Sequence, residues 1–242
     1  MQVKHLLLPS RKSRDHEVLS EVCFWAGIDV TRIEPGDETQ LPRGCIIGNT
    51  AVRGGTTFCR KMAEALGGTA LEPADDFLSA LSRVYTNRAI ALTSLAEARR
   101  INKPQFVKPV NDKHFLAGVY ASGEHLPDTK TGDEIAVLVS DPVTWRCEYR
   151  TFVLDRNVIT SSSYGLPDGH QQTEHEHAEA LAFTDSVLSD LSVILPKAVV
   201  LDVGWIEGSG WSVVEANTVT MSGIYDCEPL AVIDVLVHGI AG

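Results

Sequence analysis

The stretch AVVLDVGWIEGSGWSVVEAN, residues 198–217, constrains this chain more than any other. Two apolar runs flank Gly208-Ser209-Gly210, a spacing that predicts two strands joined as a hairpin. Asp202 ends the first run, and Glu215 and Asn217 end the second. Residues i and i+2 on a strand point to the same face, so Glu215 and Asn217 share a side, and pairing of the strands brings Asp202 toward them. Three hard oxygen donors suit Mg²⁺, which prefers one or two carboxylates plus waters and substrate phosphates. The competing reading is that Asp202 and Glu215 are merely polar strand ends.

The rest of the chain narrows the classes open to it. With 242 residues, 44% of them hydrophobic, it can bury a substantial core. Its apolar runs fall well short of the roughly 18 uncharged residues of a membrane helix, and the opening MQVKHLLLPSRKSRD is too short in apolar residues for a secretory signal. A cytoplasmic protein without membrane partners is expected. Five cysteines, odd in number and never in CxxC pairs, argue against a disulfide framework or a structural zinc. A formal charge of -11 argues against general nucleic-acid binding.

Periodicity predicts an apolar strand at residues 3–8, a helix at 17–25, a strand at 28–33, another strand-like run at 45–48 and a helix at 57–66. The first 80 residues therefore read as a small α/β domain. An Ala- and Arg-rich helix is expected at 92–101, ended by Pro104. Strands follow at 106–109, 134–139, 149–154 and 158–162. A long helix at 173–191 is expected to bury Ala178, Leu181, Ala182, Val187 and Leu188. Strands at 199–206 and 211–215 and a helix at 229–237 close an α+β pattern.

Further residues have chemistry to offer. Lys108, in FVKPVNDKHF, ends an apolar strand and is pinned by Pro109, a position suited to a cation facing a phosphate, and Lys113 follows in a turn; the alternative, commoner for a lone lysine, is that both are ordinary surface lysines. EIAVLVSDPVTW breaks from strand to turn at Ser140-Asp141-Pro142, freeing backbone groups to read a flat base edge. Glu148 and Arg150 share one strand face; a carboxylate suits ribose hydroxyls and a guanidinium suits phosphate. Cys147 alternates away from Glu148, into the core or an opposing layer. His175 and His177 lie two apart on a helix and point to different sides, which disfavours a shared metal.

In this order, FVKP, VLVSDPV, EYR, VVLDVG and VVEAN resemble the ATP-grasp superfamily, and in particular its compact bacterial and phage clade noted for an arginine and two lysines. The resemblance spans most of the chain and implies an ATP-grasp fold, two α+β subdomains that hold ATP between them. Residues 1–80 would be a pre-ATP-grasp-like domain and 81–242 the ATP-grasp domain, with its small subdomain at about 103–140. Lys108 would contact the α-phosphate and Lys113 would cover the phosphates. Val139, Asp141 and the backbone at Val143 would form the adenine hinge, with Glu148 at the ribose. Arg150 would hold the γ-phosphate or a developing acyl phosphate, with Lys113 as its catalytic companion, and Asp202, Glu215 and Asn217 would bind Mg²⁺. Arg88, Ser162, Tyr164 and Thr218 are candidate substrate contacts.

The sequence departs from the family pattern at three places. Its phosphate-covering loop carries a single glycine, Gly118; Asp141 stands where glutamate is frequent; and Thr218 to Met221 replaces a segment that often holds tryptophan. The expected activity is ATP- and Mg²⁺-dependent ligation of a carboxylate to an amine through an acyl phosphate, on a small-molecule, amino-acid or peptide substrate. A phosphotransferase of the same fold and a non-catalytic nucleotide-binding module are the alternatives.

Overall fold

The structure is a computed structural model that describes residues 3–37, 40–110, 114–130, 132–164 and 173–242. The chain forms two compact units: Met1–Pro73, Glu148–Val203 and Glu215–Gly242 make one, and Ala74–Cys147 and Gly204–Val214 make the other. The first 73 residues thus share a unit with later parts of the chain.

The first unit begins with β1 (His5–Pro9), α1 (Arg14–Ala26), β2 (Asp29–Ile33), β3 (Thr50–Val52), α2 (Thr56–Ala65) and β4 (Thr69–Ala70). Strands β2, β1 and β3 form a parallel sheet in that order. Its central strand has apolar residues on both faces, and Leu6, Leu7 and Leu8 are all fully buried. Ser13 caps α1 by accepting from the His16 amide, and Gly27, at φ 70, closes it in the left-handed conformation. The run 45–48, expected to be a strand, is instead turn. The Ile46 amide donates to Asn49 Oδ1 and Thr50 Oγ1, which folds the backbone back on itself and postpones the strand to Thr50.

The second unit carries α3 (Phe77–Ala80), α4 (Arg83–Thr86), β5 (Ile90–Ser94), α5 (Leu95–Ala98), β6 (Gln105–Pro109), β7 (Gly118–Tyr120) and β8 (Ala136–Ser140). Its antiparallel sheet runs β5-β8-β6-β7. Leu95, Ala98, Val107, Leu126, Val137 and Val139 form its core. Of the helix expected at 92–101, residues 92–94 belong instead to strand β5, which pairs with β8 from Ile90 to Ser94, and helix forms from Leu95 to Ala98. Pairing along a sheet here overrides the helix preference of an Ala- and Arg-rich segment.

The remaining elements are β9 (Trp145–Leu154), β10 (Asn157–Tyr164), α6 (Glu174–Ser189), β11 (Ala198–Ile206), β12 (Gly210–Asn217), α7 (Pro229–Leu236) and β13 (Ile240–Ala241), which pairs with β4. The sheet order is β10-β9-β11-β12. One core of the first unit joins Leu6 and Leu8 of β1, Phe152 of β9, Val200 of β11, and Val232, Ile233 and Leu236 of α7. Helix α6 buries Glu176, Ala180, Thr184, Val187 and Leu188, whereas Ala178 and Ala182 are exposed. Two polar members disguise this stripe in the sequence: Thr184 donates to the Ala180 carbonyl and Glu176 accepts from the Tyr149 hydroxyl. Among the described residues no helix is long and apolar enough to cross a membrane.

Candidate active site

Alternation along β9 places Glu148 and Arg150 on one face, and antiparallel pairing with β10 sets Tyr164 opposite Glu148 and Ser162 opposite Arg150. On the other side of β9, β11 supplies Asp202. The Thr151 hydroxyl donates to the Leu201 carbonyl at 2.7 Å, fixing β9 against β11 beside the pair. Arg150 Nε donates to Asp202 Oδ1 at 2.9 Å and Nη2 to Oδ2 at 2.6 Å, a bidentate bond between two buried side chains. Its third nitrogen, Nη1, donates to the Gly223 carbonyl at 3.0 Å. Farther along the sheet, on β12, Asn217 Nδ2 donates to Glu215 Oε1 at 2.7 Å.

Two tyrosines complete the surroundings. The Tyr164 hydroxyl donates to Glu148 Oε2 at 3.0 Å. Tyr164 and Tyr225 stack with ring centroids 4.9 Å apart, and Arg150 Cζ stands 5.3 Å from the first ring and 4.9 Å from the second.

Electrostatics tie these groups together. Burial pushes the Asp202 carboxyl up to about 6 against the stabilising bonds from Arg150, and the nearby Glu215 charge adds to the rise. Burial also raises Glu148, with repulsion from Asp202 and Glu215 in the same direction. The three carboxylates therefore feel one another, as convergence of the hairpin end on β9 requires. Arg150 is held above its ordinary value because the bonds to Asp202 outweigh its desolvation, and the Tyr164 phenol is raised by burial and by the surrounding carboxylates.

The donor set suits Mg²⁺ in its chemistry, since Asp202, Glu215 and Asn217 are hard oxygen ligands. Among the described residues no group of three or more His, Cys, Asp or Glu is disposed to hold a metal. An ion here would thus depend on the Asn217 amide and on substrate oxygens, and Asp202 would have to release part of its bond to Arg150.

Other expected site residues fall elsewhere. Lys113 lies outside the described residues. In the second unit Lys108 sits on β6 opposite Leu138, and Val139 on β8 opposite Val107 of β6 and Ala91 of β5. Asp141 accepts from the Ala89 amide at 2.9 Å through Oδ2, while its own amide donates to the Ala89 carbonyl at 3.1 Å. Val143 is half-buried in the loop between β8 and β9.

Arg88, expected as a substrate contact or a solvated residue, is buried. Its Nη1 donates to Thr86 O, Ser212 Oγ and Val213 O, its Nη2 donates to Val214 O, and its Cζ lies 5.0 Å from the Trp145 ring. It is a structural anchor of the second unit. Ser162 and Thr218 are likewise buried: the Ser162 hydroxyl lies 3.3 Å from Cys227 Sγ, and the Thr218 carbonyl accepts from the Ser222 hydroxyl. Cys147 is fully buried. His177 lies 2.6 Å from the Ser161 hydroxyl and stacks on Tyr149, and His175 pairs with Glu179.

Sequence reasoning passes over Gly223 and Tyr225, and also Asp15, which accepts from the Ile224 amide at 3.1 Å and Arg53 Nη2 at 3.0 Å. The one signal for Gly223 and Tyr225 is the motif SGIYD, a glycine and an aromatic residue shortly after the Glu215-Asn217 strand end, and Asp15 has none.

The architecture is that of the ATP-grasp proteins. The RimK domain ATP-grasp protein of Sphaerobacter thermophilus is similar over 98% of this chain and 97% of its own, with TM-score 0.57 and 17% identity. D-cycloserine synthetase DcsG covers 96% of this chain and 98% of its own at TM-score 0.56 and 15% identity. The ATP-grasp ligase PsnB, solved with a phosphomimetic variant of minimal precursor, Mg and ADP, covers 97% and 98% at TM-score 0.55 and 11% identity. More particularly, residues 85–235, over half of the chain, match the profile of the ATP-grasp domain of the clade named for one arginine and two lysines, family 2, and the chain belongs to that family. No curated protein sequence matches it.

Proposed function

We propose that this protein is an ATP- and Mg²⁺-dependent carboxylate–amine ligase that activates a carboxylate as its acyl phosphate and joins it to an amine, on an amino-acid or peptide substrate. The observation that carries this reading is the buried Arg150–Asp202 pair within the electrostatic reach of Glu215, itself bonded to Asn217. Phosphoryl transfer demands alignment and charge neutralisation rather than a covalent nucleophile, and this group of residues offers both. Arg150 would hold the transferring phosphate or the acyl phosphate. Asp202, Glu215 and Asn217 would hold Mg²⁺, which when bound neutralises phosphate charge.

Lys108 and Lys113 are read as further phosphate contacts, Val139, Asp141 and Val143 as the adenine hinge and Glu148 as a ribose acceptor. Tyr164 bonds Glu148 and so serves the same group. Residues 1–80 act in this reading as the pre-ATP-grasp-like layer beside the acceptor pocket. PsnB, solved in complex with Mg and ADP, is a structural neighbour of the same fold and is consistent with the cofactors proposed.

Calorimetric titration of ATP into the protein, with and without Mg²⁺, tests the reading on the wild type, Glu215→Ala and Lys108→Ala. Magnesium-dependent binding in the micromolar range, lost in both variants, is expected. Binding with no amine-dependent release of ADP, but with a phosphorylated product, would favour a phosphotransferase. Absence of binding in the wild type would leave a non-catalytic module, with Arg150 and Asp202 neutralising each other permanently.

A further inference from the structure

Gly223 borders a point shared by three chemically different groups. A β-carbon there would stand 3.6 Å from Arg150 Nη1, 3.8 Å from Asp15 Oδ2 and 3.8 Å from Tyr225 Cε2. These are ordinary van der Waals separations, so the absent methyl leaves room instead of relieving a clash. Nor does the backbone demand glycine, since Gly223 is not among the glycines with positive φ.

The walls of this space are held in place. Asp15, in the first turn of α1, receives the Arg53 guanidinium and the Ile224 amide, both on Oδ2, so neither bond uses its second carboxylate oxygen. The Asp15 side chain is 23% exposed while that of Arg53 is 10% exposed, which makes the carboxylate reachable and its partner fixed. Tyr225 adopts φ 48, a left-handed conformation that is strained for an aromatic residue. Burial does not explain that strain, because the residue is 46% exposed. Its ring is nevertheless fixed face to face on Tyr164 at an interplanar angle of 14°.

A carboxylate with an aromatic ring beside it is a receptor for an ammonium group. Arg53 is matched by Asp15 and Arg150 by Asp202, and Glu148 lies within the electrostatic reach of Arg150, Asp202 and Glu215, so carboxylates outnumber guanidinium groups on this side of the sheet. We propose that Asp15, Gly223 and Tyr225 form the subsite for the primary ammonium group of the acceptor, with Arg53 as the positioning residue that fixes Asp15. The inference rests on the ligase reading and adds the acceptor class to it: an amine that arrives protonated, gives that proton to Asp15, and then attacks with its lone pair the carboxyl carbon activated at Arg150, displacing phosphate.

The test is a competition between two acceptors. Enzyme, ATP and Mg²⁺ are supplied with a pool of amino acids and short peptides as carboxylates, and with hydroxylamine, uncharged at neutral pH, together with glycinamide, largely protonated. Mass spectrometry then reads the ratio of glycinamide-coupled product to hydroxamate, a ratio that cancels any loss of folded enzyme. Asp15→Asn keeps the shape and removes the charge, and Gly223→Ala fills the space. Each is expected to lower the ratio at least tenfold relative to wild type. An unchanged ratio in both variants, with hydroxamate still forming, would overturn the subsite and leave the ligase reading standing. Absence of ATP-dependent hydroxamate from the wild type would overturn the ligase reading and the subsite with it.

Discussion

Arg150 and Asp202 neutralise each other inside the first unit, with Nε to Oδ1 at 2.9 Å and Nη2 to Oδ2 at 2.6 Å. A carboxylate and a phosphate present similar oxygen pairs to the fork, so in the proposed function a phosphate would meet the guanidinium in the orientation that Asp202 now holds. Nucleotide and metal would then exchange places with internal partners, Arg150 moving its charge to phosphate and Asp202 to Mg²⁺.

Replacing Arg150 with Lys is expected to damage both stability and activity. An ammonium cannot reproduce two parallel bonds to Asp202 and a third to the Gly223 carbonyl. Lysine keeps the charge beside Asp202 but leaves buried acceptors without donors, at about 1–3 kcal/mol each, so urea denaturation would show a clear fall in stability. ATP turnover is expected to drop on the order of 100-fold or more. Unchanged turnover in Arg150→Lys would remove Arg150 from the reaction.

The elevated Asp202 carboxyl gives this site a pH signature. Its folded value of about 6 lies above the ordinary 3.8, so the folded state holds the proton more tightly than the unfolded chain. The stability from this group is therefore complete below about pH 4 and is lost as pH rises through about 6. With Asp202 as the proposed metal ligand, nucleotide binding would need the ionised carboxylate and would run the opposite way, weakening below about pH 6. Thermal denaturation of Asp202→Asn against wild type from pH 4 to 7 is expected to show the wild type losing stability relative to the variant as pH rises. ATP titrations over the same range are expected to weaken toward acid in the wild type.

Asn217 offers a separate test of the metal assignment. Its amide nitrogen donates to Glu215, so Asn217→Asp replaces a hydrogen bond with repulsion between adjacent carboxylates. The metal-free variant is expected to be about 1 kcal/mol less stable. Added Mg²⁺ is expected to raise its melting temperature more than that of the wild type, because ion binding to the folded state now relieves that repulsion. An equal magnesium response in both proteins would place the ion elsewhere.

Much of this is legible in the sequence where one face of a strand decides the outcome. Alternation along residues 148–154 places Glu148 and Arg150 together, and the Gly-Ser-Gly turn predicts the β11–β12 hairpin, with Gly208 and Gly210 at φ 74 and 99. Misreadings arise where partners distant in sequence determine the structure. Residues 92–94 read as helix by composition, yet β8 pairs with them as strand. Arg88 reads as exposed because its acceptors lie more than 120 residues downstream, on Ser212, Val213 and Val214. Asp15 passes as an ordinary helix-start acid, since nothing local shows that the Ile224 amide meets it.

Arg88 allows the structural and substrate-binding roles to be separated. Its guanidinium serves the carbonyls of Thr86, Val213 and Val214 and the Ser212 hydroxyl, and the first two carbonyls are reached by the same nitrogen as the hydroxyl. Lysine carries the charge but lacks the planar fork, and its single nitrogen cannot reach both groups of acceptors or stack on Trp145 in the same way. Carbonyls left buried without donors cost about 1–3 kcal/mol each, and relaxation of the loop would recover part of that. Arg88→Lys is therefore expected to lower the unfolding free energy by about 2 kcal/mol or more, measured by chemical denaturation. If the role is structural, KM for the carboxylate substrate stays within about twofold of wild type, since the loss of a direct charge-assisted bond would raise it by about tenfold or more. A large rise in KM with stability intact would restore Arg88 as a substrate ligand.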